Sequence, residues 1–148
     1  MRVIIAGSDR EAVESATSFL KKILDAQGRL DVCVLPIGDQ EVGFRYQKGE
    51  IALLLGASKE LAKEATEEKI KAYKRFLRNL PVKAALVIAP GKDPVLRRAA
   101  RGFPYTFRWV VPEKPWPGLA ALSLEATMAA RVAHEIGISS EAIKKAVR

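Results

Sequence analysis

Cysteine and histidine each occur once among the 148 residues. The single Cys33 cannot form an intrachain disulfide, so the chain lacks the signature of a small secreted fold. One thiol and one imidazole are too few for a zinc site, and we predict no metal and no cofactor. A catalytic pair of Cys33 and His134 would require a strand residue to meet a residue near a helix end. We therefore predict that Cys33 lies in the core and that His134 has a structural role.

Long hydrophobic runs are missing too. No charge-free apolar stretch approaches the ~20 residues that span a bilayer, and the first residues run directly into a predicted strand without a targeting segment. We expect a cytoplasmic protein with no membrane partner, folded as one domain over residues 1–148. Asn, Gln, Cys and Met are scarce while Lys, Arg and Glu are plentiful, a composition that favours a thermophilic source.

The glycine-rich motifs that bind phosphates are absent as well. Gly7-Ser8-Asp9 lacks the second and third glycines of a dinucleotide-binding turn, and no segment matches Gly-x4-Gly-Lys-Ser/Thr. Asp9 and Asp39 are the only obvious acid–base candidates. The sequence identifies no catalytic residue, and whether the protein is an enzyme stays open.

The clearest structural pattern lies in residues 82–102. The short apolar run Ala84–Ala89 has the length and β-branched content of a strand buried on both faces. A turn at 90–93 follows, after which Asp93 can cap a helix that has Pro94 at its first position. Buried strand, tight turn and helix form the unit from which open α/β sheets are built.

The rest of the chain repeats this alternation. We predict further strands over residues 2–6, 30–35 and 51–55, helices ending near residues 27, 79 and 136, and a short last helix capped by Ser139 or Ser140. Ser8 and Glu11 have the spacing of a capping box at the first helix. The helix from about 119 to 136 is rich in alanine, which predicts close packing on the sheet or on a partner chain.

Two segments bear on the form of the sheet. Residues 36–50 contain an alternating stretch that predicts either a β-hairpin with one antiparallel strand or a long loop. Residues 105–111 alternate again, and the mid-strand Arg108 favours an edge position. The fold class is therefore α/β: a three-layer sandwich with a mostly parallel sheet of five or six strands, helices on both faces, and room for an antiparallel hairpin or an edge strand.

Positive charge is concentrated in the second half of the chain. Residues 1–68 contain nine Lys and Arg against twelve Asp and Glu, whereas residues 69–148 contain sixteen against five. This asymmetry favours a polyanionic partner, although an ordinary solvated helix surface is the alternative. The candidate nucleic-acid-binding residues are Lys71, Lys74, Arg75, Arg78, Lys92, Arg97, Arg98, Arg101 and Arg108. Phe103, Tyr105 and Trp116 are close in sequence and could stack on unpaired bases.

A second candidate site is the turn that follows the strand at 51–55. Open α/β sheets bind ligands outside the carboxyl ends of their strands, where helix N-termini attract anions. Asp9 and Asp93 would repel a phosphate at two such turns, whereas Gly56, Ser58 and Lys59 offer close backbone approach, a hydroxyl and an ammonium group. The alternative is a serine-capped helix without a ligand.

Three functions are compatible with these patterns. The first is a domain that binds a phosphate-rich ligand, RNA or DNA before a nucleotide, through the basic second half. The second is a small enzyme that acts on a phosphorylated metabolite or nucleotide. The third is a structural module that forms a homo-oligomer through the alanine-rich helix or the edge at residues 105–111.

Overall fold

Five parallel strands form one sheet in the computed structural model, which describes residues 2–7, 9–37, 49–55, 66–79, 82–110 and 123–147. The strands are β1 (Arg2–Ala6), β2 (Cys33–Ile37), β3 (Gly49–Leu54), β4 (Val82–Pro90) and β5 (Thr106–Val110). Their order is β2-β1-β3-β4-β5, which is that of flavodoxin-like doubly wound folds.

Helices cover both faces of this sheet. They are α1 (Arg10–Ala26), α2 (Thr66–Asn79), α3 (Pro94–Ala100), α4 (Leu124–Glu135) and α5 (Ser140–Val147). Helices α1, α4 and α5 share one hydrophobic core with one face of the sheet, and α2 and α3 share a second core with the other face. The predicted three-layer α/β sandwich is confirmed, and we name its outer layers the α1–α4–α5 layer and the α2–α3 layer.

The alternation of side chains along β1 supplies both cores. Val3 and Ile5 pack under the α1–α4–α5 layer, and Ile4 and Ala6 pack under the α2–α3 layer. All four side chains are fully buried. A central strand that buries both faces requires a continuous apolar sequence, which is why the strand segments read as unbroken hydrophobic runs.

The first helix is capped differently from the prediction. The capping box of Ser8 and Glu11 is wrong, because α1 begins at Arg10 and the residue directly before it, Asp9, occupies the N-cap position. The Asp9 Oδ1 accepts hydrogen bonds from the backbone N–H groups of Glu11 at 3.1 Å and Ala12 at 3.3 Å. A carboxylate at this position also interacts favourably with the positive end of the helix dipole.

The helix start at Asp93 is confirmed. Its Oδ1 accepts from the N–H groups of Val95 and Leu96, both at 3.1 Å, and Pro94 occupies the first helical turn. Ser139 Oγ accepts from the N–H of Ala142, at the start of the last helix, at 3.2 Å.

The second strand is shifted along the chain from the predicted 30–35. β2 begins at Cys33, and Leu30 is 95% exposed. The pair formed by Arg29 and Asp31 occupies the turn before the strand, with nitrogen–oxygen distances of 2.8 and 3.0 Å. Cys33 pairs with the exposed Arg2 at the start of the sheet and is itself exposed. The core position predicted for Cys33 is therefore wrong, because a residue at the start of an edge strand lies outside both cores.

β5 occupies the opposite edge of the sheet, as the mid-strand arginine predicts. The choice between a hairpin and a loop for residues 36–50 falls mostly on residues outside the described ranges, but β3 pairs with β1 in parallel. The predicted start of the second helix, before Thr66, also lies outside the described residues, and so do residues 119–122 of the alanine-rich helix. Within the described ranges, no helix is long and apolar enough to cross a membrane.

Candidate nucleic-acid interface

The cations of α2 lie on its outer face. Tyr73 and Leu77 are buried against the sheet, and the helical period places positions 71, 74, 75 and 78 on the opposite side. The exposed side chains there are Lys71, Lys74, Arg75 and Arg78. One of them, Lys71, has its Nζ 3.5 Å from an oxygen of the exposed Glu68 carboxylate.

The cations of α3 follow the same rule. Leu96, Ala99 and Ala100 are buried under the helix, whereas Arg97, Arg98 and Arg101 are exposed. Because α2 and α3 pack on the same face of the sheet, the exposed faces of both helices lie in one outer layer. Lys92, in the turn before α3, is also exposed. The structure thus brings together eight of the nine predicted cations in and beside the α2–α3 layer.

Arg108 lies on the other face of the sheet. The Nε of Arg108 is 3.7 Å from an oxygen of Glu135 on α4, and the same oxygen is 3.7 Å from the Nε of Arg131. Successive side chains of β5 point to opposite faces of the sheet, so Arg108 lies on the face opposite its neighbour Trp109, which packs under the α2–α3 layer. Arg108 therefore does not extend the basic surface.

Arg97 is held in place although it is exposed. Its Nε donates a hydrogen bond to the carbonyl oxygen of Gly91 at 2.7 Å, and its guanidinium carbon lies over the Trp109 ring, 4.7 Å from the centroid. The N–H of Gly91 donates to the carbonyl oxygen of Val110 at 2.7 Å, which joins the end of β4 to the end of β5. A Cβ at position 91 would lie 3.1 Å from Arg97 Nη2 and 3.2 Å from Trp109 Cβ, so a side chain there would force its neighbours to shift by a few tenths of an ångström.

A row of aromatic side chains begins just before β5 and continues along it to Trp109, the ring under Arg97. Phe103, Tyr105, Phe107 and Trp109 are all half-buried on the α2–α3 side. Consecutive ring centroids are 6.1, 6.2 and 5.1 Å apart. The Tyr105 hydroxyl donates to the carbonyl oxygen of Leu77 at 3.0 Å, and burial raises the pKa of that hydroxyl.

Sequence reasoning did not include Phe107 or Trp109 in the site. Their alternation with Thr106 and Arg108 was the available signal, because it places both rings on one face of the strand. The third predicted stacking residue, Trp116, lies outside the described residues.

The aspartates near the carboxyl edge of the sheet already have structural partners. The hydroxyl of Tyr73 donates to Asp93 Oδ2 at 2.5 Å, and the other Asp93 oxygen caps α3. Asp9 caps α1 in the same way. Both carboxylates therefore stabilise the first turn of a helix, Asp9 at α1 and Asp93 at α3. The other acid–base candidate, Asp39, lies outside the described residues.

The strand order places a topological switch point between β1 and β3. Helix α1, after β1, covers one face of the sheet, and α2, before β4, covers the other. A Cβ at Gly7 would lie 3.1 Å from the Cβ of Leu55, and the N–H of Leu55 donates to the carbonyl oxygen of Ala6 at 2.8 Å. The two strands therefore stay closely paired to their ends. The predicted phosphate-binding residues Gly56, Ser58 and Lys59 follow β3 but lie outside the described residues.

The alanine-rich helix is used within the chain. Ala126, Ala129, Ala130 and Ala133 are buried, and they belong to the core that α4 shares with α1 and the sheet. Small side chains allow the two helices to approach closely. The alanine face is therefore not available to a partner chain.

Cys33 and His134 are both exposed. Within the described ranges, no group of three or more His, Cys, Asp and Glu side chains could hold a metal ion.

These features define an all-parallel α/β domain with one strongly basic helical layer. The chain matches no protein-family model, and no curated protein is significantly similar to it.

Proposed function

We propose that this protein binds nucleic acid, RNA or DNA, through the outer surface of the α2–α3 layer. One observation carries the proposal: charge is distributed unequally between the two helical layers. Helices α2 and α3 contain seven Lys and Arg against two Asp and Glu, whereas α1, α4 and α5 contain six against six. Lys92 and Arg101, which flank α3, add to the excess.

The geometry of this excess suits a phosphate backbone. The cations are spread along two helices rather than gathered in one pocket, so several phosphates of one strand can be neutralised at once. Each phosphate contact releases counterions, and this release drives binding at low salt. Arginine contributes further, because its planar guanidinium can donate two hydrogen bonds to one phosphate. A surface that only solvates the fold would intersperse the two signs of charge, as the α1–α4–α5 layer does.

The salt dependence of binding tests the proposal. Replacing Arg97, Arg98 and Arg101 together by alanine removes three phosphate contacts, and the slope of log affinity against log salt should then become shallower by roughly two to three. Fluorescence anisotropy with a labelled oligonucleotide, titrated at several salt concentrations, measures this slope.

The control removes the same charge from the other layer. Replacing Lys21, Lys22 and Lys145 by alanine changes the net charge equally but should leave the slope unchanged, since these exposed side chains lie on α1 and α5. Thermal unfolding followed by circular dichroism confirms that both triple variants fold. An equal change of slope in both variants, or no change in either, would contradict the proposal.

The switch point supports a second candidate function, the binding of a small phosphorylated ligand. Open α/β sheets bind ligands in the crevice at such a point, and Gly56, Ser58 and Lys59 come soon after β3 in the sequence. Inorganic phosphate or a nucleoside phosphate should then raise the melting temperature, and the Lys59→Ala variant should lose this effect while the triple arginine variant keeps it. If none of a set of phosphorylated compounds raises the melting temperature, this candidate is excluded.

A further inference from the structure

We infer that Arg97, together with Trp109 and Phe107, forms a stacking site for an unpaired base, so that the preferred ligand is single-stranded. This inference rests on the proposed function and specifies its substrate class. Trp109 contacts both other side chains, and we call the three together the column: the Phe107 and Trp109 rings are stacked at 5.1 Å with an interplanar angle of 10°, and the Arg97 guanidinium lies over the Trp109 ring at 4.7 Å.

The position of the column favours ligand binding. Gly91 and Val110, which fix the turn beside Arg97, lie at the carboxyl ends of β4 and β5. This is the edge at which open α/β sheets bind their ligands. Arg98 and Arg101 lie on the same outer layer, where they can follow a backbone whose base reaches the column.

Arg97 is ordered before any ligand arrives. The hydrogen bond to Gly91 and the Trp109 ring hold its guanidinium, although the residue is exposed. A free arginine side chain loses considerable entropy when a ligand immobilises it, and an arginine that is already held loses less. Guanidinium planes stack on bases as aromatic rings do, and they also donate hydrogen bonds to phosphates.

Stacking selects single strands because it needs an open base face. In a duplex both faces of each base are covered by neighbouring pairs, and only the base edges and the phosphates are accessible. Single-strand binding proteins typically combine a positively charged path for the backbone with aromatic platforms for the bases. Cations in the α2–α3 layer and half-buried rings on β5 supply the same two components side by side.

Tryptophan fluorescence provides a direct readout. The chain has two tryptophans, so in a Trp116→Phe background Trp109 is the only one. A single-stranded oligonucleotide should quench this fluorescence and should bind roughly tenfold more tightly than a duplex of equal length at the same salt. Equal or tighter binding of the duplex would overturn the inference.

A pair of charge-preserving variants separates stacking from electrostatics. Arg97→Lys keeps the charge but removes the planar group, and it should weaken single-strand binding roughly tenfold with an unchanged salt slope. Arg10→Lys, the same exchange at an exposed arginine of α1 in the other layer, should bind as the wild type does. Phe107→Leu, measured by anisotropy, should also lose the preference for single strands, and melting curves verify that each variant is folded.

The outcomes distinguish this inference from the proposed function. If Arg97→Lys and Arg10→Lys bind alike while the triple alanine variant still loses salt dependence, the stacking site is wrong and nucleic-acid binding stands. If neither single strands nor duplexes bind, both proposals fail.

Discussion

Two helical layers cover the same sheet, and they differ far more in charge than in packing. In the α1–α4–α5 layer, cations pair with carboxylates on their own helices: Arg10 with Glu14 at 3.1 Å, Arg131 with Glu135 at 3.7 Å, and Lys144 with Glu141 at 3.5 Å. In the α2–α3 layer, Lys71 pairs with Glu68 at 3.5 Å, whereas Lys74, Arg75 and Arg78 have other cations three or four residues away on the helix. Each layer nevertheless buries a full set of apolar side chains against the sheet.

Both layers bury apolar side chains, which folding needs, but folding does not need the excess of positive charge on α2. Like charges three or four residues apart destabilise a helix, so the basic face of α2 opposes the structure on which it lies. Burial of Tyr73 and Leu77 on the inner face offsets this repulsion. Stability alone would favour mixed charges there, and this is why the excess supports the proposal of a polyanionic ligand.

The largest expected effects concern the two cores. Leu77→Ala under α2 and Leu20→Ala under α1 each truncate a fully buried side chain, and each should lower the free energy of unfolding by about 2–5 kcal/mol. Urea unfolding followed by circular dichroism measures both.

The shape of the unfolding transition sharpens the comparison. If the two layers fold as one cooperative unit, both variants show a single transition with an unchanged slope in urea. An additional early transition in Leu77→Ala alone would mean that the basic layer unfolds separately from the neutral one.

The sequence predicts the elements of this fold better than their arrangement. The strand at 84–89 and the Asp93-Pro94 helix start are local patterns, and the structure has them where they were predicted, whereas the second strand is shifted along the chain. The face on which each helix packs depends on strand order. The steps from β3 to β4 and from β4 to β5 run in one direction across the sheet, so right-handed crossovers place α2 and α3 on the same face. The step from β1 to β2 runs the other way and places α1 on the opposite face.

Strand order also explains why many of the candidate cations lie together. The cations of α2 and α3 lie in one layer because both helices pack on the same face of the sheet. The contact of Arg97 with Gly91 and Trp109 joins two strands and a helix, and no local pattern encodes it. Arg108 is different: strand alternation alone predicts that it lies on the face opposite Trp109.

Removing a single positive charge from each layer should change the stability of the protein by a smaller amount, in a direction that can be predicted. Lys74 lies four residues before Arg78 and three after Lys71, so Lys74→Gln removes like-charge repulsion and should stabilise the protein by about 0.2–0.5 kcal/mol at low salt. Lys21 in α1 lies four residues before Asp25, and Lys21→Gln should give no gain. Thermal melts at low and high salt check this, since the gain from Lys74→Gln should vanish as salt screens the charges. A gain of the same size in Lys21→Gln would mean that the two layers do not differ electrostatically.

Acid should reduce the difference in charge between the two helical layers, because it neutralises the carboxylates that balance the cations of the α1–α4–α5 layer. Asp31, which lies beside this layer, gives the smallest and most specific test of an ion pair on that side. The hydrogen bonds from Arg29 lower the pKa of Asp31 to about 2 from its ordinary value of 3.8, and a backbone hydrogen bond and then the charge of Arg29 act in the same direction, against a smaller opposing effect of burial. Arg29 also donates to the carbonyl oxygen of Ile136 at 3.2 Å, so the pair fixes the end of α4 to the turn before β2.

A carboxylate whose pKa is lower in the folded state contributes stability above its unfolded pKa and loses that contribution as the pH falls towards the folded pKa. Wild type should therefore lose slightly more stability than Asp31→Asn between about pH 4 and pH 2. The effect is small because the Asp31 side chain is 62% exposed and solvent screens the pair. Parallel melts across this pH range measure it, and coincident acid limbs for the two proteins would show that the pair does not contribute to stability.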